Sequence, residues 1–234
     1  MFAACGRLHL LRLGGSSLRM IFSGYVSRKV PLRKPSLFHP NQRFSRDAEM
    51  RLPEFATHYY LPEIGPFRSL SELPVGSEDP IFLGLLTRHQ RDPGYRRRYG
   101  RNYIEVRSKV EARLRELFVA RGGKPRCRHP YYLVLGESPW FRDLNADQSE
   151  LKIPLLELDP ETTSLTYPDS FVALSRGDKP YFNKVFLLSE VSEIVERFGV
   201  PDNDQVVPYE RYWETDFELY IEVQLWDIPP GFKP

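Results

Sequence analysis

The chain has 234 residues, 41% hydrophobic and 27% charged, with a formal net charge of +2 and only two cysteines. That length suits one good-sized domain or two small ones, and no apolar run approaches the ~20 residues of a membrane-spanning helix. Cys5 lies in a segment that reads as unfolded, so no disulfide framework is expected and the usage fits a reducing compartment.

The modest net charge hides a strong sorting. Residues 1–50 carry nine Lys/Arg against two Asp/Glu, residues 88–128 carry fourteen against four, and residues 129–234 carry eight against twenty. A basic and an acidic segment in one domain either pair with each other or present opposed faces to partners.

No acidic residue precedes Asp47, while arginines recur among serines and leucines from Arg7 to Arg46. This composition reads as a mitochondrial transit peptide, or equally as an upstream extension that does not fold. Arg12 interrupts Leu8–Leu13, which argues against a secretory signal. Residues 1–49 are therefore set apart from a single domain over 50–234. The location is cytoplasmic, or the mitochondrial matrix if the leader is genuine.

Thr57–Leu61, closed by Pro62, predicts a first strand. Phe67–Pro74 holds a single helical turn that stops at Pro74. Asp79–Leu86 is apolar and reads as strand or helix alike. A long helix over about 103–121 follows, with Asn102 as N-cap and Tyr103, Val106, Val110, Leu114, Leu117 and Phe118 on one face. Glu105→Lys109 and Glu111→Arg115 are i,i+4 pairs on other faces, and Gly122-Gly123 with Pro125 ends the helix. Strands are predicted at Tyr131–Leu135, Leu151–Leu156 (edge or bulge, because of Pro154), Thr162–Tyr167 and Asn183–Leu188. A second helix covers about 190–198, with Ser189 as N-cap and Gly199 and Pro201 as its stop. The strict alternation of Phe217–Trp226 predicts a final strand with one core face and one polar, aromatic face. The fold class is α+β, a single domain with a mainly antiparallel sheet and two main helices.

Three groups of residues are candidate sites. Arg88–Arg101 interleaves six arginines with Tyr95 and Tyr99, so Arg96, Arg97, Arg98 and Arg101 are candidates for gripping phosphates while the tyrosines stack on unpaired bases. The plainer reading is a turn at Asp92-Pro93-Gly94 with solvated or internally paired arginines. The polar face of the last strand, with Tyr220, Glu222, Gln224 and Trp226, is a candidate binding face. His58, Tyr167 and Glu222 are a dispersed constellation that resembles the histidine, tyrosine and glutamate of ADP-ribosyltransferases. In that resemblance they hold the ribose of NAD, stack on nicotinamide and stabilise a developing cation. Their plainer roles are a sheet histidine, a turn aromatic and a solvated carboxylate.

No metal is expected. His58, His89 and His129 are isolated, no Cys-x-x-Cys occurs, and Asp202-Asn203-Asp204 lacks the rest of a calcium loop. Cys127, flanked by Arg126, Arg128 and His129, reads as a bystander thiol.

Residues 57–227 also resemble an uncharacterised family of bacterial proteins. The resemblance lies in His58-Tyr59-Tyr60, Gly65–Pro74, Gly122–Pro125, Tyr132–Gly136, Thr166–Phe171 and Tyr220–Asp227. It implies a shared fold and a start at Met50, and brings no activity. The leading expectation is a soluble binding domain without a cofactor, facing a protein or other partner and no membrane. The alternatives are an NAD-consuming transferase and a single-stranded nucleic-acid-binding module.

Overall fold

The computed structural model describes residues 52–74, 78–200 and 216–232. The expected leader at 1–49 and the Asp202–Asp204 turn lie outside them.

Hydrogen bonding links six strands in the order β3-β1-β2-β6-β4-β5, each antiparallel to its neighbours. They are β1 (Phe55–Tyr60), β2 (Tyr131–Leu135), β3 (Ser149–Pro154), β4 (Thr163–Thr166), β5 (Phe186–Leu187) and β6 (Glu222–Leu225). The helices are α1 (Pro80–Arg91), α2 (Tyr103–Ala120), α3 (Pro139–Arg142), α4 (Ser170–Ser175) and α5 (Val191–Phe198). The domain is α+β, as the sequence predicts. β3 is an edge strand, and Pro154 at its end and the charges of Glu150 and Lys152 discourage further pairing there.

Asp79-Pro80 resolves the ambiguous apolar run. The Asp79 carboxylate accepts the N–H groups of Ile81 (2.9 Å) and Phe82 (3.2 Å), and Pro80 sits where a helix has no N–H to satisfy. A helix follows, with Phe82 and Leu85 buried. The short helices α3 and α4, which periodicity does not reveal, start the same way from Ser138 and Asp169.

Two predicted caps are corrected. Asn102 precedes α2, but its side chain makes no capping bond because its backbone is already close to helical. Ser189 lies inside a 3-10 turn, and the Glu190 carboxylate instead accepts the Leu187 N–H at 2.7 Å. The final strand is also shorter than its alternation suggests, since Phe217 takes a positive φ of 57° and regular pairing begins only at Glu222.

Register assigns each side chain to a face. Leu133, Leu165, Val223 and Leu225 share the core with Ile194 and Val195 of α5. Tyr132, Ser164, Thr166, Glu222 and Gln224 lie on the opposite face, beneath α2. α2 closes on that face through Phe118, stacked on Trp226 at 6.2 Å. A Cβ on Gly123 would lie 2.4 Å from the Phe118 ring, so only glycine allows the chain to turn there.

The sorted charges pair. Arg107 meets Glu222, Arg121 meets Glu190, Lys124 meets Glu161, and Arg126 meets Asp227 and Asp159. The basic and acidic segments are thus partners within one domain. Among the described residues, no helix is long and apolar enough to cross a membrane.

Candidate functional site

The layer between α2 and the sheet is a buried polar network. Arg107 and Glu111 are four residues apart on the inner face of α2, and both are buried. Glu111 is therefore not the surface partner of Arg115 that spacing suggests; Arg115 donates to the Pro125 carbonyl instead. Glu111 Oε1 accepts the hydroxyls of Ser71 and Tyr132, each at 2.8 Å, and its Oε2 lies 2.6 Å from His129 Nδ1. Arg107 lies with its guanidinium carbon 3.7 Å from the Tyr132 ring centroid and 4.7 Å from that of Phe171. It donates to Ser170 Oγ at 2.9 Å and pairs with Glu111 (3.4 Å) and Glu222 (3.8 Å).

Hydrogen bonds extend along the strands. Trp226 Nε1 donates to Ser164 Oγ, whose hydroxyl donates to Gln224 Oε1, both at 2.8 Å. Gln224 Nε2 donates to Thr166 Oγ1 (2.9 Å) and Glu222 Oε1 (3.0 Å). The predicted binding face of Tyr220, Gln224 and Trp226 is thus internal: Gln224 and Trp226 are fully buried and Tyr220 is 8% exposed. Alternation marks a face as polar, and here α2 supplies matching polar groups, so that face is covered.

Asp169 adjoins this network. Its carboxylate accepts the Val172 N–H at 2.9 Å, and burial followed by the charge of Glu222 pushes its pKa up to about 7. Glu222 in turn accepts the Ser170 N–H at 3.3 Å.

The proposed NAD constellation is not assembled. Glu222 lies on the α2 side of the sheet, while His58 and Tyr167 lie on the other. Both His58 nitrogens are occupied. Nε2 accepts the Phe67 N–H at 3.1 Å, so the proton sits on Nδ1 and is donated to the Tyr132 carbonyl at 2.8 Å. Burial lowers the His58 pKa, which keeps the ring neutral. The Tyr167 hydroxyl donates to the Phe198 carbonyl, and its ring stacks on Phe198 at 4.7 Å. These are structural residues.

The Arg/Tyr segment is docked, not extended into solvent. The Asp92-Pro93-Gly94 turn forms as predicted, with Gly94 N–H donating to the Asp92 carboxylate at 2.9 Å. Arg96 N–H then donates to the Leu144 carbonyl at 2.8 Å. Tyr95 is buried under the Arg88 guanidinium, and Tyr99 packs edge-on against Tyr103 at 4.8 Å. Neither ring is free to stack on bases. Arg96, Arg98 and Arg101 are exposed.

Arg97 differs from all of these. It is half-buried, 4.9 Å above the Tyr99 ring and 5.6 Å from the Phe141 ring, and near Tyr103 and Tyr220. Among the described residues its guanidinium has no oxygen acceptor. The other arginines that are half-buried or buried (Arg88, Arg107, Arg115 and Arg176) each have one. Among the described residues, the Tyr220 hydroxyl beside it likewise has no hydrogen-bond partner. Burial, then Asp169 and Glu222, raise the Tyr220 pKa well above its ordinary value, so that hydroxyl remains a proton donor.

Comparison with protein-family models, curated proteins and solved structures finds no match. Sequence reasoning included Arg97 only as one of four equivalent arginines. What distinguishes it is the ring on each side, and only Tyr99 is near enough in sequence to hint at that. Among the described residues no three metal-ligating side chains converge.

Proposed function

We propose that this domain binds an anionic ligand, with Arg97 as the anchoring cation and the Tyr220 hydroxyl as a neighbouring donor. The observation that carries this reading is the half-buried guanidinium near the rings of Tyr99 and Phe141, with no oxygen acceptor for it among the described residues. Partial burial strips water from a charge, and an unanswered cation in such a place is costly unless something anionic completes it. The rings fix the plane of the fork without satisfying its donors, which suits an oxygen anion received edge-on.

The exposed Arg96 and Arg101 add positive potential that would draw an anion toward this side. They do not favour a nucleic acid, because the tyrosines that would stack on its bases are already packed.

Isothermal titration calorimetry of the full chain with benzoate, acetate, inorganic phosphate and an oligothymidylate tests the reading. At least one anion is expected to bind in the wild type and to lose at least about tenfold in affinity in Arg97→Gln, the scale of one charge-assisted bond. The variant's melting temperature should stay near that of the wild type. If no probe binds, or binding is indifferent to Arg97→Gln, the proposal falls.

A further inference from the structure

We propose that His129 is a nucleophilic histidine that accepts a phosphoryl group at Nε2 from a small nitrogen- or acyl-linked phosphoryl donor. Its Nδ1 lies 2.6 Å from Glu111 Oε2, and the other oxygen of that carboxylate already accepts the hydroxyls of Ser71 and Tyr132. An ionised carboxylate can only accept, so the neutral ring keeps its proton on Nδ1 and its lone pair on Nε2. The His129 side chain is 12% exposed and that of Glu111 1%, so the pair runs from the surface to the interior. Among the described residues Nε2 has no hydrogen-bond partner, and it is not sealed from solvent. The other described histidines lack this arrangement. Both nitrogens of His58 are engaged, and Nδ1 of His89 is buried with no carboxylate to orient it.

The role of the carboxylate follows from where charge develops. As the bond from Nε2 to phosphorus forms, the bond from phosphorus to the leaving group breaks, and the leaving group departs with that electron pair. The ring keeps its Nδ1 proton and becomes cationic, and the Glu111 carboxylate lies against that proton to offset the new charge. Glu111 is thus a positioning residue, itself fixed by Ser71, Tyr132 and Arg107. The charge around the ring favours a phosphoryl donor over a neutral acyl donor. Arg128, the preceding residue, and Arg68, three residues before Ser71, are both exposed, and neither makes an ion pair among the described residues. Glu72, beside Ser71, is the acidic counterweight, and the Tyr131 hydroxyl donates to it at 3.3 Å. Two cations against one carboxylate draw an anionic donor toward this side.

The test is chemical. The full chain is incubated at pH 8 with phosphoramidate, whose leaving group is ammonia, and with N-acetylhistidine in the same solution as a reference. Peptide mass spectrometry at neutral pH then reads which histidine has gained a phosphoryl group, and how fast. His129 is expected to react at least about tenfold faster than both His89 and the reference. Glu111→Gln is expected to slow it about tenfold, less than the ~10²-fold loss of a fully enclosed electrostatic stabiliser because the ring is partly exposed. A purely structural loss would open the site and raise the rate at His129, so the direction of the change separates the two roles. A rate no faster than that of N-acetylhistidine, or one unchanged or raised in Glu111→Gln, overturns the proposal. If that variant does not fold, the wild-type comparison with His89 and the reference decides alone. p-Nitrophenyl acetate supplies the acyl comparison: an equal acceleration of acetyl transfer to His129, relative to the reference, overturns the phosphoryl assignment.

Discussion

Replacing Arg107 by Met tests whether the layer under α2 is held together by its charges. Methionine keeps most of the length and apolar contact of the arginine stem but removes the guanidinium. Five contacts then disappear: the hydrogen bond to Ser170 Oγ, the ion pairs with Glu111 and Glu222, and the cation–ring contacts with Tyr132 and Phe171. Glu111 retains Ser71, Tyr132 and His129 as partners, while among the described residues Glu222 keeps the Ser170 N–H and Gln224. Breaking a buried pair from one side leaves the other charge uncompensated, so the loss should be about 3–5 kcal/mol. With a urea dependence of about 2 kcal/mol per molar, the unfolding midpoint should drop by roughly 1.5–2.5 M. Tryptophan fluorescence reports the transition, since Trp226 is fully buried. Glu222→Gln removes the opposing charge but keeps an oxygen for Ser170 and Gln224. Adding Arg107→Met to it should therefore cost at least ~1 kcal/mol less than Arg107→Met alone, a coupling that a double-mutant cycle resolves. A cost below ~1 kcal/mol for Arg107→Met, or no coupling, would refute the view that this network stabilises the fold through paired charge.

Other substitutions probe single features. Gly123→Ala forces a Cβ to within 2.4 Å of the Phe118 ring and should lower stability by about 1–3 kcal/mol, read as a fall in melting temperature. Trp226→Phe deletes the donor to Ser164 and part of a fully buried ring, and a loss of about 2 kcal/mol or more in urea unfolding is expected. Asp169 in the folded protein has a pKa of about 7, above the ordinary carboxylate value, so the folded state holds a proton that the unfolded chain has released. Stability from this group is complete at acidic pH and falls as pH rises toward 7. Asp169→Asn should flatten that decline, by up to ~1.4 kcal/mol per pH unit, in urea titrations at pH 5 and pH 7.5. A variant that follows the wild-type pH profile would show that Asp169 does not carry it.

The strands and the two main helices were legible because one physical signal, apolar periodicity, dominates each of them. Tyr131–Leu135 and the stripe from Val106 to Phe118 needed no tertiary information. The extent of the polar layer was not legible. Arg107 and Glu111 lie at positions that spacing treats as a solvent-facing flank, and Gln224 and Trp226 at positions that alternation treats as outward. Both conclusions assume that polar means exposed. That holds only when the opposite element is apolar, whereas here α2 and β6 present complementary polar groups to each other. The three-residue resemblance to a transferase failed for a related reason. Sequence order says nothing of parity, and Glu222 has the opposite parity in the sheet to His58 once register connects β1 through β2 to β6.

Arg97 and Arg107 show why burial alone does not reveal function. Both lie against aromatic rings, and both come from the basic segment of the chain. Arg107 meets its obligations internally, through Ser170, Glu111 and Glu222, so its removal should be felt in stability. Arg97 meets none of them among the described residues, and its neighbours are rings that position it without satisfying it. A side chain held in place but left unsatisfied stabilises the folded state little, and its removal should leave the melting temperature almost unchanged while weakening anion binding at least about tenfold. Opposite responses of the two arginines to the same pair of measurements would separate a structural cation from a functional one, ten residues apart in a single chain.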